Sequence, residues 1–252
     1  MSDSPLTVDA FLTRFNALPG VKLFPPMDEA GLKILPPDAR RAMDTMPALH
    51  RELLQRTNGL SAWSGYFRLF GFGYTPQGAP DAFIWNLPNM WKFTWPGQVA
   101  EFFCFGDDGW GNQYVYRTVG MALKPEAGIF RLDWSMLAPT QIADTFEQFL
   151  EREWLVNARG PRDVKLAQAA AQFGPLATDQ LLNYMPSPLL GGAETPENLR
   201  VLNARQAMIL NGDIFSQWNT APKGSVLQRI DTQMDRLGVM RLKLVFSPPA
   251  SQ

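Results

Sequence analysis

The spacing of apolar residues changes abruptly at Gly65, and that change limits the possible folds more than any single motif does. Ahead of it, Val8, Phe11, Leu12 and Phe15 recur at the interval of one helical face, with Thr7 placed to cap the helix and Pro19-Gly20 to stop it. After a proline-rich passage, a second helical pattern over residues 47–57 carries Leu49, Leu53 and Leu54 and ends at Asn58-Gly59. Beyond Gly65 five short aromatic-rich runs lie between turn residues, at 66–72, 82–87, 99–105, 113–116 and 129–134. Aromatic side chains suit a pleated, half-buried surface, so these runs are expected to be strands. The third and fourth flank a glycine-rich connection at 106–112, which suits a hairpin, so the sheet is expected to be mostly antiparallel. Asp144 then opens a closing helix, with Glu147 placed for a capping box and Phe146, Phe149, Leu150 and Trp154 on one face.

The stretch Asn157-Ala158-Arg159-Gly160-Pro161 is short, polar and rich in helix breakers, which puts a boundary near Gly160 and divides the chain into 1–158 and 159–252. The remainder reads as largely helical, over 162–173, 178–184, 196–210 and 226–237, with Thr195-Pro196 as a helix start. Alternation of Met240, Leu242, Leu244 and Phe246 with Arg241 and Lys243 marks 239–246 as a strand able to join either unit's sheet, and the tail 247–252 is expected to fray. The fold class is therefore α+β: a mostly antiparallel sheet flanked by helices, followed by a mainly helical C-terminal unit.

Composition narrows function by exclusion. Of 252 residues, 46% are hydrophobic and 19% charged, which is the balance of a globular chain. The 23 Lys and Arg nearly cancel the 24 Asp and Glu, so no basic field favours direct contact with nucleic acid. Apolar runs such as Ala207 to Leu210 fall far short of the roughly 18 residues of a membrane helix, so no membrane partner is expected. Residues 1–5 lack the basic start and apolar stretch of a secretory signal, and Cys104 is the single cysteine; a cytoplasmic protein is expected.

The inventory for catalysis is thin. There is one histidine, His50, inside the second helical pattern, where a surface or hydrogen-bond-satisfied role is expected. His50-Arg51-Glu52 matches part of a zinc-deaminase signature, whose Cys-x-x-Cys pair a one-cysteine chain lacks. Phe102, Phe103 and Phe105 surround Cys104 with an environment that raises a thiol pKa, the reverse of what activates a nucleophile. The loop from Gly106 to Gly111 carries two acids and precedes a strand, so it reads as a turn and not as a phosphate or calcium loop. Gly191-Gly192 reads as a structural turn. Glu151 and Glu153, two apart on a helix, point to different faces. No catalytic residue, metal ligand or cofactor is expected. What stands out is aromatic content in turn-rich context: Trp63, Trp91, Trp95 and Trp110, with the acids Glu101, Asp107 and Asp108 nearby in sequence. Tryptophan beside acids offers an anchor and charge complementarity, and these seven residues are the candidates for contact with a protein partner.

Several of these pieces resemble one family in order. Leu53-Leu54-Gln55-Arg56-Thr57-Asn58-Gly59, the aromatic strand through Leu69-Phe70, the block from Phe105 to Tyr114, and Ala143-Asp144-Thr145-Phe146-Glu147-Gln148-Phe149-Leu150 together resemble the SMI1/KNR4, or SUKH, superfamily over residues 7–155. GAD-like domains share a similar aromatic and glycine block. Phe173-Gly174-Pro175-Leu176, Asp179-Gln180-Leu181-Leu182-Asn183-Tyr184, and Leu190-Gly191-Gly192 followed by Glu197-Asn198-Leu199 resemble the C-terminal domain of immunity proteins against type VI secreted DNase toxins, over residues 165–211. The tail from Gly212 to Phe246 departs from that pattern. The resemblance implies a non-enzymatic immunity protein that binds and neutralises a type VI or contact-dependent bacterial toxin, a nuclease among the candidates. A SUKH-type scaffold or regulator is the first alternative, and a hydrolase using carboxylates alone the second.

Overall fold

The computed structural model describes residues 6–26, 33–73, 81–236 and 238–247. Residues 1–5 and the end of the tail, whose expectations are given above, lie outside them, as does part of the proline-rich passage. Helix α1 (Val8–Asn16) is capped as its sequence predicts: the Thr7 hydroxyl accepts the Ala10 amide, and Val8, Phe11 and Phe15 turn inward. A short strand β1 (Lys22–Leu23) follows, then α2 (Pro37–Thr45), a helix beginning where the proline-rich passage ends and without a sequence expectation of its own, and α3 (Ala48–Arg56), which buries Leu49, Leu53 and Leu54.

Strands β2 (Leu60–Ala62), β3 (Phe67–Leu69), β4 (Phe102–Asp108), β5 (Gln113–Val119), β6 (Ala122–Leu123), β7 (Ile129–Leu132) and β8 (Pro139–Ala143) complete one sheet, ordered β1-β2-β3-β4-β5-β7-β8 with β6 on β5. Every paired strand in it is antiparallel. One expected strand is a helix instead. Residues Ala82–Trp85 form the single turn α4, because the Asp81 carboxylate accepts the Ile84 amide and nucleates it. The closing helix starts one residue later than expected, with Thr145 as the cap accepting the Gln148 amide while the Gln148 side chain accepts the Asp144 amide. It runs as α5 (Phe146–Gln148), a wider π-helical stretch (Phe149–Trp154) and α6 (Leu155–Arg159).

After Gly160 come α7 (Val164–Phe173), the hairpin β9 (Gln180–Tyr184) with β10 (Leu199–Asn203), the long α8 (Ala204–Thr220), and the hairpin β11 (Leu227–Met234) with β12 (Met240–Phe246). Three expected helices are thus corrected. Residues 178–184 and 226–237 contribute hairpin strands, and Thr195-Pro196 starts only one 3-10 turn (Pro196–Asn198), the real helix being capped by Asn203 onto the Gln206 amide. Strand β12 pairs with β11, joining neither other sheet. Its docking depends on α8: the Asp213 carboxylate accepts from the Arg241 guanidinium and the Leu242 amide, and the Gln217 side chain bridges the Leu242 carbonyl and the Leu244 amide.

One hydrophobic cluster extends from Val8 to Val239 and crosses the Gly160 position without a break. In its N-terminal part Phe11 and Phe15 close on Trp154 at 5.9 and 5.1 Å, and Phe105 stacks on Tyr116 at 4.5 Å. His50 lies in the same aromatic packing, stacked on Phe146 at 4.2 Å, with its Nδ1 3.0 Å from the Tyr116 hydroxyl. Burial pulls the His50 pKa down from 6.5 to about 3. The unfolded chain therefore binds a proton that the folded chain refuses, so His50 contributes full stability above pH 6.5 and progressively less as pH falls toward 3. Replacing it with glutamine, which does not titrate, should make the stability gap between wild type and variant shrink by about 2 kcal/mol from about pH 7 to about pH 5. Urea unfolding at both pH values reads this directly, and a pH-independent gap contradicts it.

Candidate functional site

The turn between β4 and β5 is organised by its own acids. Asp108 Oδ1 accepts the amides of Trp110 and Asn112 at 3.0 and 3.1 Å, and its Oδ2 accepts the Asn112 side-chain amide at 2.7 Å. Gly111 takes φ +88° at the tip, a conformation that favours glycine. The turn then reaches outward through two contacts. Asn112 Oδ1 accepts the Trp134 amide at 2.9 Å, and Trp110 Nε1 donates to Asp163 Oδ2 at 2.8 Å. Asp163 is also the cap of α7, its Oδ1 accepting the Lys165 amide. On the other side, Leu182 donates its amide to the Gly109 carbonyl at 2.7 Å, which seats β9 against the turn.

These contacts gather side chains from distant parts of the chain around a groove of about 500 Å³. Its aromatic floor is a set of three rings: Trp110 stacks on Tyr184 at 5.3 Å, and Trp134 lies 6.3 Å from each of them. Trp110 and Tyr184 are buried and Trp134 is half-buried, so the floor is rigid and only its Trp134 edge is open. Charges of both signs form the rim. Lys165 pairs with Glu194, Asp133 holds Ser135 and Met136, and the exposed Arg131 has no ion-pair partner among the described residues. A smaller pocket of about 150 Å³ shares Trp110, Asn112, Arg131 and Asp163 with the groove and adds Asp108, Tyr114 and Glu153. Burial pushes the Asp108 carboxyl up to about 7, against the pull of its hydrogen bonds from Asn112 and Trp110 and with a smaller push from Asp107.

Asp107, next along β4, faces elsewhere. Its two oxygens accept Arg68 Nε and Nη2 at 2.6 Å each, and Arg68 Nη1 donates to the carbonyls of Thr178 and Gln180. Both side chains are about 1% exposed. Burial raises the Asp107 carboxyl pKa while Arg68 opposes it, and the bidentate geometry is that of a guanidinium on a carboxylate.

Of the seven expected contact residues, the structure brings Asp108 and Trp110 together in the smaller pocket, where Trp110 is shared with the groove, and both are largely buried. Trp91 is fully buried against Trp85, and Trp95 donates Nε1 to the Met208 carbonyl and packs on Phe215. Trp63 is half-buried, with its ring edge on Tyr66, and Glu101 is exposed at the end of a 3-10 turn. Asp107 is engaged by Arg68. The rim and floor residues Arg131, Asp133, Trp134, Asp163, Lys165, Tyr184 and Glu194 were not among the seven; the one local signal was Asp163, an N-cap residue ahead of a helical pattern. Cys104 is fully buried and burial pushes its thiol up to about 12, as its phenylalanine neighbours imply.

No family model matches the chain, and no curated protein matches it. Among solved structures, the crystal structure of Atu4351 from Agrobacterium tumefaciens has a similar fold, with a TM-score of 0.51 and 13% sequence identity over 92% of this chain and 96% of that one. The likeness extends over both sides of Gly160.

Proposed function

We propose that the chain is a non-enzymatic binding protein that neutralises a bacterial protein toxin by covering it with the groove formed around Trp110, Trp134 and Tyr184. The observation that carries this reading is the contrast between floor and rim: three packed rings, with the Trp110 indole bonded to Asp163 and the Trp134 backbone amide to Asn112, beneath an exposed Arg131 that has no ion-pair partner among the described residues. A preformed face loses little conformational freedom on association, and Trp, Tyr and Arg are the residues that dominate binding energies at protein interfaces. Order along the chain supports the partner class, since the segments that resemble SUKH and type VI immunity domains are the ones that meet at the groove. Mixed rim charges imply association that weakens with salt.

Calorimetric titration against the products of the genes adjacent to the one that encodes this chain tests the proposal, and binding to none of them contradicts it. One-to-one binding is expected, with Arg131→Glu lowering affinity about tenfold or more while leaving the fold intact. Inhibition of the toxin separates neutralisation from scaffolding, which needs binding alone. The carboxylate-hydrolase reading has one observation in its favour, Asp108 near neutrality in a pocket with Glu153. Asp108 already accepts three hydrogen bonds within its own turn, which favours a structural role over proton transfer.

A further inference from the structure

A separate cavity of about 250 Å³ opens among Pro88, Phe93, Pro96, Phe102, Phe103 and Met121, and its wall includes Lys92 and Asn86. Lys92 Nζ donates to Asn86 Oδ1 at 2.8 Å and to the Phe102 carbonyl at 2.6 Å. Asn86 is itself fixed, donating to the Ala82 and Cys104 carbonyls and accepting the Cys104 amide. An ammonium carries three donors, so one remains after these two bonds. Among the described residues no carboxylate pairs with Lys92; the Trp91 ring lies 5.9 Å from its nitrogen, and the Cys104 thiol is held neutral by burial. Burial also lowers the Lys92 pKa, as expected for a cation that lacks a counter-charge.

We infer that this cavity is a ligand site for a short aliphatic monocarboxylate, whose head group pairs with Lys92 Nζ and whose chain lies against Phe93, Phe103 and Met121. The lining supplies apolar surface for the chain, and the half-buried Lys92 ammonium supplies the charge that selects the head group. A single ammonium with one spare donor suits a singly charged carboxylate better than a phosphate, which presents more charge and more acceptors. The site is independent of the groove at Trp134.

Titration calorimetry with octanoate and with octanol on the full chain tests it. Wild type is expected to bind octanoate at least about tenfold more tightly than octanol. Lys92→Met should weaken octanoate about tenfold or more and change octanol little. Ala100→Trp, which adds bulk at an exposed part of the wall and keeps Lys92, should abolish both. Absence of octanoate binding to wild type at about 10 mM, equal affinity for the acid and the alcohol, or unchanged octanoate binding to Ala100→Trp would each overturn the inference. The acid-to-alcohol comparison on wild type and the Ala100→Trp result stand even if Lys92→Met does not fold.

Discussion

Replacing Arg68 with alanine should destabilise the chain by about 3–5 kcal/mol, since it strips a buried carboxylate of its partner. Asp107 would keep two oxygens, now without the Nε and Nη2 donors 2.6 Å away, in a site about 1% exposed. The loss spreads beyond the pair. Arg68 lies on β3, yet its Nη1 donates to Thr178 and Gln180, so one guanidinium fastens the sheet to the segment leading into β9. The double variant Arg68→Met with Asp107→Leu removes both charges together and should be less destabilised than Arg68→Ala, because no bare charge remains. Urea unfolding of the set gives the energies. An Arg68→Ala chain within about 1 kcal/mol of wild type would show that the pair carries little of the fold.

Gly65→Ala should cost about 3 kcal/mol from a single methyl group. Gly65 sits at φ +93°, and a Cβ built there lies 2.2 Å from the Leu176 carbonyl oxygen. That oxygen cannot move freely, since the Leu176 amide donates back to Ser64 and holds the two strands of backbone in register. The Tyr66 hydroxyl donates to the Gly174 carbonyl on the same boundary, so relief of the clash would open contacts on both sides of it. Gly97→Ala, where no atom lies within 4 Å of the added carbon, serves as the control and should stay within about 0.5 kcal/mol. Equal thermal shifts for the two variants would contradict this close approach of the sheet to the segment around Leu176.

Sequence periodicity located the elements whose local and tertiary preferences agree. Helices α1 and α3 bury residues their spacing selects, and the Gly106–Asn112 connection holds the expected turn only at Gly109–Asn112, its first three residues extending β4 in pairing with β3. It failed where tertiary contact decides. Ala82–Trp85 is rich in strand-forming aromatics but helical through the Asp81 cap, and residues 178–184 read as helical though Gln180–Tyr184 is a hairpin strand paired to β10. The site follows the same rule. Turn-rich context marked Trp91 and Trp95 as candidate partner contacts, but each packs inside, and neighbours far along the chain, Met208 and Phe215, cover Trp95. Trp134, Lys165, Tyr184 and Glu194 meet only when the segment beyond Gly160 folds onto the sheet, a juxtaposition that no local window contains.

The groove is also where the two parts of the chain depend on each other most visibly, since Trp110 from the hairpin turn, Asp163 from the α7 cap and Tyr184 from β9 touch within it. Hydrogen-exchange mass spectrometry of the chain with and without a protein that it binds among the products of the adjacent genes would map the contact face. Added protection confined to peptides covering 108–112, 131–134, 163–165, 184 and 194 is the predicted footprint. Tight binding with protection elsewhere and none at these peptides would contradict the assignment of this groove as the face that covers a toxin.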